Sequence, residues 1–355
     1  MAKQRNSSLE VIRLVCIFYV VYWHSINPYL DQMASFNIAP VNLINSLCNN
    51  TNTLFMLLSG YFGIRLNLEK LIKLDLAIIF YDVLYLILFG TLGAKSLLIS
   101  LMPITFKSHW FLTCYFVIAF LSGFLNRIPE KLERKTFRNL LLALIAIFYV
   151  LPTCVFYEVI EDSGKGVVCM SIVYLVGRYI RMYYGDVSFK KSRLAIVFGI
   201  TILIPTVLNF GLSMAKGCFM GMYSRDNSIF MLVSSVVFFL FFREMQFTNK
   251  LINHLTPNIV ILYCIEGYVR EITGRYIHLA DYAQSPLFIL IVFGYALAVI
   301  VFCLLLNELR TLLLDRVDSF IASKAMCVFN RVAPVCVNAG KKIEAKLSAF
   351  LIASK

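Results

Sequence analysis

Arg13 and His24 stand eleven positions apart in R-N-S-S-L-E-V-I-R-L-V-C-I-F-Y-V-V-Y-W-H, the stretch from Arg5 to His24. From Leu9 onward that stretch is almost wholly apolar, yet it also carries Glu10. At about 100° and 1.5 Å per residue the separation amounts to roughly 1100° and ~16 Å. The two side chains therefore share one helix face to within about 20°. An ionisable group inside a membrane helix is costly and marks a protein interior or a watery cavity. An imidazole can take a hydroxyl proton near neutral pH or carry an acyl group. A guanidinium suits a phosphate or a thioester oxygen. The alternative is that Glu10 and Arg13 mark a membrane interface and His24 caps the far end of the helix.

Further candidates are spread along the chain. Lys70 and Lys73 share a helix face and offer two cations for the phosphates of a cofactor, or an anchor for a helix end. His109 and Trp110 open an apolar run, where Trp is expected at the membrane interface. Asp226, beside Arg225, opens another. Glu266 lies in I-L-Y-C-I-E-G-Y and either pairs with Arg270 four residues on or faces the cavity that His24 lines. Ser59-Gly60 reads as a close helix contact, and Glu158, Glu161 and Asp162 as a solvated acidic loop.

The elements that must position these residues are membrane helices. With 60% hydrophobic and 15% charged residues in 355, the chain is too apolar for a soluble globule. Apolar runs recur at about 9–27, 46–64, 74–93, 110–127, 139–157, 166–184, 194–214, 227–243, 250–270 and 286–309. This predicts an all-α polytopic membrane protein of about ten transmembrane helices, the first of them retained. Residues 28–45, between the first two runs, read as a translocated loop.

Alternate gaps carry the positive charge: Lys3 and Arg5, then Arg65, Lys70 and Lys73, the clusters Arg127–Arg138 and Arg178–Arg193, Arg243 and Lys250, and the tail with Arg310, Arg316, Lys341 and Lys342. The opposite gaps hold only Lys95, Lys107, Lys165, Lys216, Arg225, Arg270 and Arg275. That asymmetry places both termini in the cytosol. The net charge of +13 is thus a topology signal and a contact with anionic membrane lipid, and no nucleic-acid footprint. Residues 1–310 read as one membrane domain and 311–355 as a cytosolic tail able to form amphipathic helices. The ten cysteines are scattered, with neither metal spacing nor a disulfide framework.

Several of these residues fall in an ordered series. Arg13, ten residues, then His24, with Glu10 ahead of them, is followed by F-M-L-L-S-G-Y-F (55–62) and H-W-F-L-T-C-Y-F-V-I-A-F-L-S-G-F-L-N (109–126). Y-S-R-D-N-S-I-F-M-L-V-S-S-V-V-F-F-L-F-F (223–242) and I-N-H-L-T-P-N-I-V-I-L-Y-C-I-E (252–266) complete it. The series resembles the integral-membrane acyltransferase family 3, bacterial enzymes that O-acylate surface glycans, over residues 5 to about 310.

The resemblance implies a ten-helix core in the bacterial inner membrane that moves an acyl group, acetyl above all, from cytosolic acyl-CoA to a sugar hydroxyl outside. It makes His24 the catalytic imidazole and Arg13 an essential cation three turns away on the same helix, with Glu10 next to Arg13. Lys70, Lys73 and Arg13 would face the donor, and His109, Trp110, Glu266 and Asp226 the glycan acceptor. Acetyl-CoA would be a substrate, with no permanently bound cofactor. Two departures stand out. Lys70 and Lys73 occupy the place of an Arg-x-x-Arg pair, and Glu266 that of a histidine. An exporter of a glycan or lipid-linked sugar, or an inactive scaffold relative, is the competing class.

Overall fold

The Asn6 side chain accepts the backbone N–H of Ser8 at 3.1 Å, which caps the first helix. Ser7 ties that helix start to a distant segment: its N–H donates to the Phe247 carbonyl at 2.9 Å, and its hydroxyl accepts from the Asn249 N–H at 2.7 Å. The computed structural model describes residues 6–257 and 259–351, without the side chains of 336, 337, 340 and 344–351. Lys3 and Arg5, and the Cys336 side chain, lie outside the described residues.

The described residues form helices joined by loops, with no strand among them. Its helices are α1 (Ser7–Ile26), α2 (Ile38–Cys48), α3 (Thr51–Phe62), α4 (Leu68–Phe89), α5 (Ala94–Leu101), α6 (Trp110–Leu125), α7 (Arg127–Lys131) and α8 (Arg134–Ile145). They continue with α9 (Leu151–Val155), α10 (Val167–Tyr184), α11 (Lys191–Lys216), α12 (Ile229–Arg243), α13 (Lys250–Leu255), α14 (Leu262–Gly274) and α15 (Phe288–Leu351).

Among the described residues, five stretches are by length and composition long and apolar enough to cross a membrane: Ser7–Tyr29, Trp110–Lys131, Arg134–Val155, Lys191–Lys216 and Phe288–Val335. The third joins α8 to α9 through one π-helical segment, Ala146–Val150. Apolar side chains such as Ile200, Leu203 and Val207 on α11, and Leu290, Leu297 and Leu305 on α15, are exposed. On a membrane protein that is the surface lipid covers. The chain is an all-α polytopic membrane protein.

Two expected runs are interrupted, both where the backbone borders a cavity described below. The second breaks at Asn49-Asn50, between α2 and α3. Part of the expected translocated loop is α2 itself, whose Ile38, Val41, Ile44 and Cys48 are buried on one face. The ninth breaks at Thr256-Pro257, between α13 and α14, because a proline supplies no N–H to the helical ladder. Broken backbone at membrane depth is tolerated where it lines a cavity. At the other end, α15 runs without interruption through position 310.

α1 lies between two cores. Leu9, Ile12 and Cys16 pack with α3, α6, α10 and α12, while Ile17, Val21, Tyr22 and Ile26 pack with α2, α4, α14 and α15. Lipid removes the hydrophobic drive between helices, so close approach and hydrogen bonding must hold them together. The α3–α10 crossing shows how close. A Cβ on Gly60 would stand 2.1 Å from the Tyr174 carbonyl oxygen, and one on Gly177 would stand 2.5 Å from that of Leu57. Gly60 is a packing site, as its composition suggested, whereas Ser59 lines a cavity and bonds the Phe55 carbonyl of its own helix.

Candidate active site

α1 carries Arg13 and His24 into two separate cavities, one toward each end of the helix. The first, of about 570 Å³, is lined by Arg13, Lys70, Lys73 and Arg310, with Phe55, Phe111 and the broken segment at Thr256-Pro257. Lys70 and Lys73 reach it from the first turns of α4, whose start is capped by Asn67 accepting the Lys70 N–H at 3.0 Å. Arg13 Nη1 donates to Glu10 Oε2 at 2.5 Å, and Glu10 is buried. Glu10 therefore offsets the charge of Arg13, one turn away on the same helix. The structure thus brings Arg13, Lys70 and Lys73 into one basic cavity.

The second cavity, of about 300 Å³, holds His24, Trp23, Trp110, Asn52, Lys165, Arg225, Asp226 and Tyr263. His24 Nδ1 lies 2.7 Å from Glu266 Oε1. Arg270 Nε donates to Glu266 Oε2 at 2.5 Å, and Arg270 Nη1 donates to the His24 carbonyl at 3.0 Å. Glu266 pairs with Arg270 on its own helix, as one alternative has it; it does not line the cavity itself but lies buried behind it, bonded to His24 on α1. An ionised carboxylate only accepts, so Nδ1 is the ring nitrogen that donates to it and Nε2 lies outside that bond. The His24 side chain is 40% exposed and Glu266 only 4%. An accessible imidazole is thus held by a buried carboxylate, whose charge a guanidinium balances. This base, orienter and counter-ion arrangement is one that nucleophile activation uses.

Trp110 and Asp226 enter the same cavity. Asp226 Oδ1 accepts from Asn52 Nδ2 at 2.9 Å. Burial pushes the Asp226 carboxyl above its ordinary range, opposed by the Asn52 hydrogen bond and the Lys165 charge. Arg225 donates to Glu158 Oε1 at 2.7 Å, so Glu158 is a partly buried partner of a cavity-lining residue and no freely solvated loop residue. Its local acidity in the sequence hid a partner 67 residues away.

His109 lines neither of these cavities. Its Nε2 lies 3.1 Å from Asp82 Oδ1, which also accepts from the Tyr268 hydroxyl at 2.9 Å. Between the two cavities stands an aromatic partition. Phe111 packs against Phe55, Trp110 and Tyr263 with ring centroids 5.9 Å apart in each case.

Arg270, Lys165 and Arg310 are site residues that the sequence reading does not reach. Arg270 is legible there only as the i+4 partner of Glu266. Lys165 and Arg310 lie in gaps counted for topology, and no spacing links them to Arg13 or His24.

No match was found among curated proteins or solved structures. The family model described as an acyltransferase domain, that of acyltransferase family 3, matches residues 6–308. That range holds all of α1 to α14, the His24–Glu266–Arg270 set and the aromatic partition, and with this match the chain belongs to that family of membrane acyltransferases.

Proposed function

We propose that the protein is an O-acyltransferase that takes an acyl group, acetyl in the simplest case, from cytosolic acyl-CoA. The acceptor is a sugar hydroxyl of an envelope glycan or exopolysaccharide on the far side of the bacterial inner membrane. The single observation that carries the reading is the placement of the His24–Glu266–Arg270 set and the basic cavity at opposite ends of one helix. Phe111, which lines the basic cavity, packs against Trp110 and Tyr263, which line the other. The positive-inside asymmetry puts the basic cavity on the cytosolic side, with about ten crossings and both termini inside.

In this reading Arg13, Lys70 and Lys73 draw the anionic carrier into the basic cavity, and the thioester reaches past the partition toward His24. His24 Nε2 takes the proton of the acceptor hydroxyl as its oxygen attacks the thioester carbonyl. The C–S bond then breaks, and the imidazolium returns that proton to the CoA thiolate. Glu266 holds the ring and stabilises the imidazolium meanwhile. Asp226, Asn52 and Trp110 supply a polar rim and an aromatic face, the combination that receives a sugar. Glu266, which stands where a histidine is usual, bonds the catalytic nitrogen's ring and so supports an active enzyme over an inactive scaffold.

The test is the O-acyl content of the host's surface glycan in a deletion strain carrying the native gene or His24→Ala. Normal glycan amounts that lack O-acyl groups in the variant are expected. Polymer retained inside the cell would instead favour an exporter, and unchanged acylation would refute the role of His24.

A further inference from the structure

The family match ends at residue 308, but the basic cavity does not. Arg310, Thr311, Asp315 and Asp318, all from the uninterrupted continuation of α15, form one of its walls. Arg310 is buried, with 7% of its surface exposed, and its Nη2 lies 2.8 Å from Asp318 Oδ2. Its guanidinium rests over the Phe80 ring at 5.3 Å, and its Nε is buried without a hydrogen-bond acceptor. Asp315 Oδ1 lies 3.8 Å from Lys73 Nζ, with the Asp315 side chain largely exposed.

These residues repeat one arrangement twice: a cavity cation faces a carboxylate from α15. A phosphate carries more charge and more acceptor oxygens than a carboxylate. A guanidinium also binds phosphate through a two-pronged fork that lysine lacks. Arg310 is already stacked in place and has an N–H to spare.

We propose that the α15 continuation completes the donor site: Arg310 and Lys73 bind phosphates of the acyl carrier, and Asp318 and Asp315 hold those cations until the phosphates replace them. The proposal rests on the donor reading above and adds to it a wall built by residues beyond the matched family region.

Titration of the purified full-length chain in lipid nanodiscs with coenzyme A, read by calorimetry, tests it without any transfer step. Arg310→Gln combined with Asp318→Asn removes both charges together, so no lone buried carboxylate is left to unfold the protein. This variant is expected to bind coenzyme A about tenfold more weakly, the loss of one charge-assisted contact. Asp315→Asn, at an exposed position the fold does not need, is expected to bind about threefold more tightly, as befits a screened surface pair. Unchanged affinity in Asp315→Asn, or in a folded double variant, overturns the proposal and leaves the donor reading standing. A native chain that binds no coenzyme A overturns both.

Discussion

His24 with Glu266 and His109 with Asp82 are both imidazoles against buried carboxylates, at 2.7 and 3.1 Å. Helix α14 takes part in each: Glu266 and Tyr268 are two residues apart, about 200° around the helix, and so serve opposite faces. The pairs differ in access and in compensation. The His24 side chain is 40% exposed and lines a cavity, whereas that of His109 is 11% exposed. Glu266 is balanced by Arg270, while Asp82 has a neutral phenol, Tyr268, stacked on Tyr85 at 4.3 Å. A histidine–carboxylate pair is therefore no signature of catalysis by itself. Opened to a cavity and backed by a cation it can exchange protons with a substrate; sealed against a tyrosine it clamps three helices.

The largest effect should come from His24→Ala, which is expected to lower acyl-CoA consumption by at least about 10²-fold, the range of acid–base contributions. His109→Ala at equal inserted protein should stay within about tenfold of native, far short of that catalytic range. Equal losses in the two variants, measured on membranes carrying each, would erase the distinction.

Glu266→Gln keeps the shape but removes the charge that steadies the imidazolium. A drop of about 10² in kcat with an unchanged KM for acyl-CoA is expected. A rise in KM alone would make Glu266 a binding residue instead. Asp82→Ala should act on stability. It strands the His109 ring nitrogen and the Tyr268 hydroxyl, at a cost of about 3 kcal/mol, visible as a lower thermal midpoint in detergent. The protein that stays folded should turn over normally. Tyr268→Phe removes a single hydrogen bond and should cost about 1 kcal/mol, with no change in kcat. A kinetic defect there would tie the sealed pair to the chemistry.

Much of the site was legible along α1 because helical spacing is a local property. Arg13 and His24 could be placed on one face, and Glu10 beside Arg13, from the positions alone. Lys70 and Lys73 were legible as a pair for the same reason. His109 and Trp110 show where this kind of reading ends. They are adjacent in sequence and occupied one functional slot, yet Trp110 enters the cavity and His109 turns to Asp82 on α4. Neighbours on a helix point about 100° apart, and only packing tells which direction is hollow. Glu158 is a similar case, since its partner Arg225 sits on a loop that no local pattern connects to it.

By itself the sequence determined the membrane-embedded all-α class, the family and the shared face of Arg13 and His24. Composition, ordered motifs and helical period are carried by the chain without reference to its fold. Tertiary structure alone decided that Arg13 and His24 open into different cavities, that Arg270 completes the histidine set, and that the α15 continuation walls the basic cavity. Each of those depends on contacts between segments up to hundreds of residues apart, and the energy of a buried charge is set by what surrounds it in space.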